Sequence, residues 1–128
     1  MNDPAVQKGV DLSRFPVNDN PVPVNWRGKV IRVRPILEYD ETTGFVDEVV
    51  SLCYDGEQRQ MIPERGDLMF RYAVLRHYTD AVLPEDFTDI NKLCYLTDIY
   101  DTVVSHAKKA QIEALRKVVD SVLFGVHE

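Results

Sequence analysis

Apolar residues recur at intervals of three and four along most of the chain beyond residue 40, which is the spacing of amphipathic helices. The pattern predicts helices over about 42–54, 68–79 and 89–96, and from 97 or 98 nearly to the end, the last with a kink near 106–109. Residues that can cap free backbone N–H groups stand at the first three predicted starts: Thr42 or Thr43, Asp67 and Thr88. A predicted turn at 40–44 leads into the first helix, and polar or proline-containing segments at 55–66 and 80–87 separate the first three helices.

A period of two residues occurs in the segment 29–37 and predicts a strand. Ile31 and Val33 form its apolar face and alternate with two arginines. Pro35 restricts the strand to a sheet edge or a strand end, because proline donates no backbone hydrogen bond. A lone strand is unstable in water. Its partner is therefore the N-terminal segment, a short segment near 58–62, or a second copy of the chain.

The first 27 residues differ in composition from the rest of the chain. They hold four of the seven prolines and lack helical or strand periodicity. Proline and valine alternate within 21–26, which favours an extended or polyproline II course. Such a course leaves backbone donors and acceptors free to pair with a neighbouring surface. We interpret 1–27 as an extended interaction arm, and 28–128 as a mainly α domain of four to five helices with one short β element.

Apolar side chains in the arm and in the predicted strand are the candidate contacts with a partner protein. They are Leu12, Phe15, Val22, Val24, Trp26, Ile31 and Val33. Trp26 is the only tryptophan and the expected anchor, because aromatic residues often dominate interface energies. Removal of residues 2–25 is expected to leave the helical domain folded.

The net charge of −6 lies entirely outside the arm, which has three basic and three acidic residues. Six acidic residues fall within 80–101 against the single Lys92. Such a surface repels a phosphate backbone, so direct binding of nucleic acid is not expected. The sequence shows neither a membrane-spanning apolar run nor the basic and apolar regions of a signal peptide. We therefore expect a protein of the cytoplasm that does not contact the membrane.

Side chains capable of chemistry are present, but their spacing favours structural roles. His77 and Asp80 could place two metal ligands on one helix face, yet a histidine in the last helical turn more often contacts free carbonyls. Asp98 and Asp101 could hold a cation or act as acid and base, but their place at a helix start favours capping. We predict no metal, cofactor or catalytic residue. An enzyme would need a cleft that joins His77 or His106 to the aspartate pair.

Both cysteines and most aromatic residues are predicted to be structural. Cys53 and Cys94 lie inside apolar helical patterns and are expected to be buried, reduced thiols. Five aromatic side chains could line a ligand pocket, but their apolar bodies and polar tips suit the core or an interface equally well. They are Phe70, Tyr72, Tyr78, Tyr95 and Tyr100.

Three stretches together resemble small proteins of tailed-bacteriophage structural modules. They are FVDEVVSLCYD (45–55), DLMFRYAVLRHYTDAVLPED (67–86) and INKLCYLTDIYDTVV (90–104). Proteins of that class tend to carry a short helix, a polar loop, a helix ending in "YTD", an "lP" link and a helix with a "DIYD"-like phrase. The resemblance covers 45–104 and concerns the punctuation of helices. It implies a role in the virion or its assembly and carries over no functional residue.

Two functions follow from these features. The first is a structural virion subunit at the head, neck or head-tail junction, assembled in the host cytoplasm. Its arm would contact copies of itself and other virion proteins. The alternative is a binding module outside the virion, such as a phage assembly chaperone or a small regulator. Mass spectrometry of purified particles would distinguish the two.

Overall fold

Five α-helices and four short strands make up the secondary structure of residues 9–125, the part of the chain that the computed structural model describes. The helices are α1 (Tyr39–Leu52), α2 (Gly66–Tyr78), α3 (Phe87–Leu96), α4 (Ile99–Val104) and α5 (Lys109–Phe124). The strands are β1 (Val22–Trp26), β2 (Lys29–Val33), β3 (Tyr54–Asp55) and β4 (Gln60–Met61). The prediction of four to five helices is confirmed, and the described residues form a small mixed domain that is 53% helical when the short 3-10 helix Pro63–Arg65 is included.

Helix α2 lies at the centre and contacts the other four helices. Nine of its 13 residues are buried, as expected for a helix that is surrounded by neighbours rather than amphipathic. Phe45 of α1 is fully buried and packs edge-to-face on Phe70 and Tyr78 of α2, with ring centroids 5.3 and 6.4 Å apart. Cys53 and Cys94 are free and buried, which confirms their predicted burial.

Strands β1 and β2 form an antiparallel hairpin in which Val22 pairs with Val33 and Trp26 with Lys29. Arg27 and Gly28 make the two-residue turn, with positive φ angles of 52° and 81°. A two-residue hairpin turn of type I′ requires positive φ at both of its central residues. The predicted strand over 29–37 therefore ends at Val33, and its partner is the N-terminal segment.

The hairpin is fixed to the end of α2. Val33 forms a β-bridge with Thr79, and the Arg34 N–H donates to the Tyr78 carbonyl at 2.7 Å. Asp80 also contacts β2, because its carboxylate accepts a hydrogen bond from the Arg32 N–H at 3.0 Å. The second sheet, of β3 and β4, pairs Tyr54 with Met61 in the segment predicted to be a polar loop.

Helix α1 begins before the predicted turn at 40–44, which is helical in the structure. Thr42 and Thr43 therefore do not cap it. Glu38 is the N-cap and forms a capping box with Glu41, in which each side chain accepts from the other residue's N–H. The Arg34 guanidinium donates two hydrogen bonds to the Glu41 carboxylate, at 2.9 and 2.6 Å. The capping box therefore pairs free backbone N–H groups at the start of α1 without a threonine.

The Arg34–Glu41 pair predicts a loss of stability in acid. Hydrogen bonds from Arg34 and from the Glu38 N–H lower the pKa of Glu41 from 4.5 to about 2. The stabilisation is therefore present above pH 4.5 and is lost as the pH falls toward about 2. Both side chains are more than a third exposed, so we expect an effect below about 1 kcal/mol. Urea denaturation across this pH range should show a shallower decline for Glu41→Gln than for the unaltered chain. Equal slopes would contradict the assignment.

Two further helix starts differ from prediction. The carboxylate of Asp86, not Thr88, caps α3 by accepting from the Asp89 N–H at 3.2 Å. Asp67 lies inside the first turn of α2 and does not cap it.

The predicted C-terminal helix is two helices, interrupted between Val104 and Lys109 where the pattern indicates a kink. The Lys108 N–H donates to the Pro35 carbonyl at 2.8 Å across the break. A contact from another part of the chain therefore holds the interruption.

Candidate interaction site

Residues 9–21 of the arm are all exposed and belong to no helix or strand. Four large apolar side chains lie among them: Val10 (84% exposed), Leu12 (72%), Phe15 (69%) and Val17 (50%). The predicted contact residues Leu12 and Phe15 thus have accessible side chains. Residues 1–8 of the predicted arm lie outside the described residues.

Short-range hydrogen bonds shape the exposed arm locally. The Asp11 carboxylate accepts from the N–H and the hydroxyl of Ser13, at 2.9 and 2.7 Å. These two bonds lower the pKa of Asp11. Asn18 accepts from the Asn20 N–H at 3.3 Å. Turns of this kind bend the backbone without burying side chains, so the apolar groups stay available to a partner.

The structure divides the other predicted contact residues between the core and the surface. Val24, Ile31 and Val33 are buried, at 8%, 8% and 0% exposure. They pack inside the chain's own domain, because pairing of β1 with β2 turns this face of the hairpin toward the helices. The surface that a partner can reach therefore excludes these three. Val22 remains 38% exposed.

Trp26 anchors the hairpin to its own domain. The indole is partly buried against the core, and its Nε1 donates to the Asp98 carboxylate at 2.8 Å. The Arg27 guanidinium stacks on the outer part of the ring, 4.6 Å from its centroid. Only the remaining open part of the ring can contact a partner.

An apolar depression, which we call the hairpin groove, lies beside Trp26 and has a volume of about 490 Å³. The hairpin and the segment that follows α2 form its walls, and α3 and α4 contribute to its floor. Its apolar lining includes Trp26, Val30, Val82, Leu83, Leu93 and Ile99. Val30 is 65% exposed and Val82 is 99% exposed. Lys29 and Asp80 place one charge of each sign among the lining residues.

Sequence reasoning missed this groove. The residues Ala81, Val82 and Leu83 stand as a short apolar run inside a link otherwise described as acidic. Consecutive apolar residues in a loop without periodicity are a signal of a surface with another use. The run could have been recognised, but its position beside the hairpin could not.

Other groups contact the two histidines that the enzyme alternative requires. His77 Nε2 lies 2.5 Å from Glu48 Oε1 of α1, so it does not serve the last carbonyls of α2. His106 is exposed and contacts the Thr102 carbonyl. Asp98 and Asp101 line a polar groove that includes no histidine among its described residues. Within residues 9–125, no three His, Cys, Asp or Glu side chains are placed to hold a metal ion.

Asp67 has a different role from the one expected. Its carboxylate accepts from the Tyr95 hydroxyl at 2.6 Å, Arg116 at 2.9 Å and Arg71 at 3.0 Å. Burial raises the pKa of Asp67, but the three donors more than offset this, and its pKa is lowered. Arg71 also stacks on Tyr95 and on Tyr100, at 5.1 and 4.5 Å from their centroids. This cluster joins α2, α3, α4 and α5 and uses its charges internally.

The aromatic residues thus occupy two settings. Phe70, Tyr72 and Tyr78 are core residues, at 1%, 6% and 0% exposure. Tyr95 and Tyr100 flank the Asp67 cluster at the margin of the core. Burial, reinforced by the hydrogen bond to Asp67, raises the pKa of Tyr95 to about 12.

The two thiols are expected to be unreactive in the folded protein. Burial raises the pKa of Cys94 to about 11 and also raises the pKa of Cys53. Because the thiolate is the reactive form, labelling by iodoacetamide at neutral pH should be slow without denaturant. It should become fast for both in guanidinium chloride. Rapid labelling of the native protein, followed by mass spectrometry, would contradict this expectation.

Among the described helices, none is both long and apolar enough to cross a membrane. The comparisons find no match, since no family model, curated protein or solved structure is significantly similar to the chain.

Proposed function

We propose that this protein is a structural subunit of a tailed-bacteriophage particle, at the head, neck or head-tail junction, that joins neighbouring subunits through its N-terminal arm. The exposure of four large apolar side chains within 10–17 carries the proposal. Burial of an apolar side chain of this size stabilises a contact by about 1.5–3 kcal/mol. An extended segment can gain this by lying on another subunit.

The charge distribution supports the arm as the joining element. The excess of negative charge lies in 28–128, whereas 1–27 are balanced. Two acidic domains repel each other at close approach. An arm without net charge can bridge them without that cost. A particle subunit also repeats around a symmetry axis, so each copy needs a surface that reaches the next one.

The resemblance of 45–104 to small proteins of phage structural modules supports the virion as the location, with assembly in the host cytoplasm. A direct role for nucleic acid or membrane is not part of the proposal. The contacts are with copies of the chain and with other virion proteins.

Deletion of residues 9–21 is expected to leave the domain folded and to abolish incorporation into particles. The deletion must stop before Val22, because the previously expected limit of residue 25 would remove β1 and the core residue Val24. Circular dichroism measures the fold, and mass spectrometry of purified particles measures incorporation after complementation of a phage that lacks the gene.

Two matched double variants test whether incorporation depends on the apolar side chains of the arm or only on the presence of the arm. Leu12→Ser with Phe15→Ser should reduce incorporation, whereas Asn18→Ser with Asn20→Ser should not. Normal incorporation of the deleted chain would overturn the arm's role. Absence of the unaltered chain from particles would favour the alternative, an assembly chaperone or small regulator outside the virion.

A further inference from the structure

The hairpin groove and the arm are unpartnered apolar surfaces of the same chain. The groove floor is the buried Ile99, and its walls expose Val30 and Val82. Its volume of about 490 Å³ falls in the range of sites that enclose a small ligand or a few side chains. The arm supplies the exposed side chains of Leu12 and Phe15.

The arm of one chain does not occupy the groove of the same chain, because residues 9–21 are all exposed and none of them lines the groove. The arm leaves β1 at Val22, whereas Trp26, the β1 residue that lines the groove, lies at the other end of the strand, about 13 Å away. Pro21 and Pro23 keep the residues before them extended, which opposes a tight reversal at this point. Pro23 also lacks an N–H, so the outer edge of β1 is a poor template for the returning arm. A groove on another molecule is therefore the accessible one.

The charges of the two surfaces are complementary. Leu12 and Phe15 are flanked by Asp11 and Arg14, one acid and one base. The groove presents Lys29 and Asp80 beside its apolar walls. Ion pairs at such a margin contribute little affinity but select orientation. A wholly acidic segment would place like charges together at Asp80, and a wholly basic segment would do so at Lys29.

We propose that the hairpin groove binds residues 10–17 of the arm of a second copy of the chain. The inference rests on the proposed function, in that the arm is the joining element, and names the surface it joins. The arm and the groove are different parts of the molecule, so the contact is heterologous. Repetition of a heterologous contact generates a closed ring or an open filament. A single chain type can thus form a ring of the kind needed at a head, neck or tail junction.

Self-association of full-length protein tests the groove. Val82→Arg and Val30→Arg each place a charged side chain in the groove at a position exposed in the monomer, so both should fold. Each is expected to weaken association on the order of tenfold or more, as is the double substitution Leu12→Ser with Phe15→Ser. Val122→Arg is the matched control, because Val122 is 52% exposed on α5 and is not among the residues that line the groove. It should leave association unchanged in sedimentation-velocity experiments.

Mixing the variants tests the heterologous geometry. The Leu12→Ser, Phe15→Ser chain keeps an intact groove, and the Val82→Arg chain keeps an intact arm. Together they should form a dimer that cannot extend, at concentrations where neither associates alone. An isologous interface between the same surfaces of two copies would not be restored by mixing.

The single tryptophan gives a direct readout of the groove, because Trp26 lines it. A synthetic peptide of residues 9–21, which contains no tryptophan, should shift the emission of the full-length Leu12→Ser, Phe15→Ser chain. The same peptide with both serine substitutions should not shift it.

The outcomes separate this inference from the proposed function. Arm variants that dissociate the oligomer while both groove variants associate normally would overturn the groove assignment and retain the joining role of the arm. A monomer at all concentrations with no response to the peptide would also overturn it. Loss of association in both sets, with a dimer on mixing, is the expected result.

Discussion

Replacement of Phe45 with alanine is expected to lower the free energy of unfolding by about 3–5 kcal/mol, the range for truncation of a fully buried aromatic residue. Phe45 is 0% exposed and fills the space between α1 and α2. Its ring contacts Phe70, His77 and Tyr78 edge-to-face. The substitution leaves a cavity bounded by rigid rings that cannot collapse into it. Because small domains have total stabilities of about 5–15 kcal/mol, much of the stability would be lost.

Phe15→Ala is the matched control for this prediction. The substitution is chemically identical, but Phe15 is 69% exposed in the arm. Its removal should leave the unfolding midpoint unchanged in urea, while the proposed association weakens. A similar loss of stability in both variants would show that the arm packs on the domain, which would contradict the exposed position of the arm.

Replacement of Gln111 with alanine is the second large effect, expected at about 2–4 kcal/mol because buried groups lose their partners. The side chain of Gln111 joins α5 to the segment between β2 and α1. Its Oε1 accepts from the Leu37 N–H at 2.8 Å and from the Tyr78 hydroxyl at 2.6 Å. Its Nε2 donates to the Leu37 carbonyl at 2.9 Å. Tyr78 and Leu37 are buried, at 0% and 3% exposure, so water cannot readily replace the amide.

A double-mutant cycle tests the Gln111 prediction. Tyr78→Phe removes only the hydroxyl, and when it is combined with Gln111→Ala the two losses should be less than additive. Gln58→Ala, at an exposed position, controls for the loss of a glutamine and should have little effect. Strictly additive losses in chemical denaturation would show that the Tyr78 hydroxyl does not depend on Gln111.

Residues that interact with near neighbours in the sequence were predictable. The helical period around Phe45 and Val49, the alternation at Ile31 and Val33, and the burial of Cys53 all arise from local patterns, and the structure contains them. The residues at which helices start were less predictable from the sequence. Glu38 replaced the expected threonines because its capping box is completed by Arg34, which the hairpin holds in place.

The role of Asp67 was not predictable, because its partners Tyr95 and Arg116 lie 28 and 49 residues away. The hairpin groove was also hidden. Its walls come from residues around 26–31 and 80–84, and the pairing of 32–34 with 78–80 brings the two segments together.

The sequence by itself determined the helical content and the acidic charge of 28–128, because composition and periodicity act over a few residues. Tertiary structure alone decided that β1 belongs to the domain rather than the arm. It also decided that Val24, Ile31 and Val33 are core residues, and that Trp26 lines a groove instead of projecting from a tail. These features depend on contacts between segments distant in the chain, whose energies become available only when the domain has closed around α2.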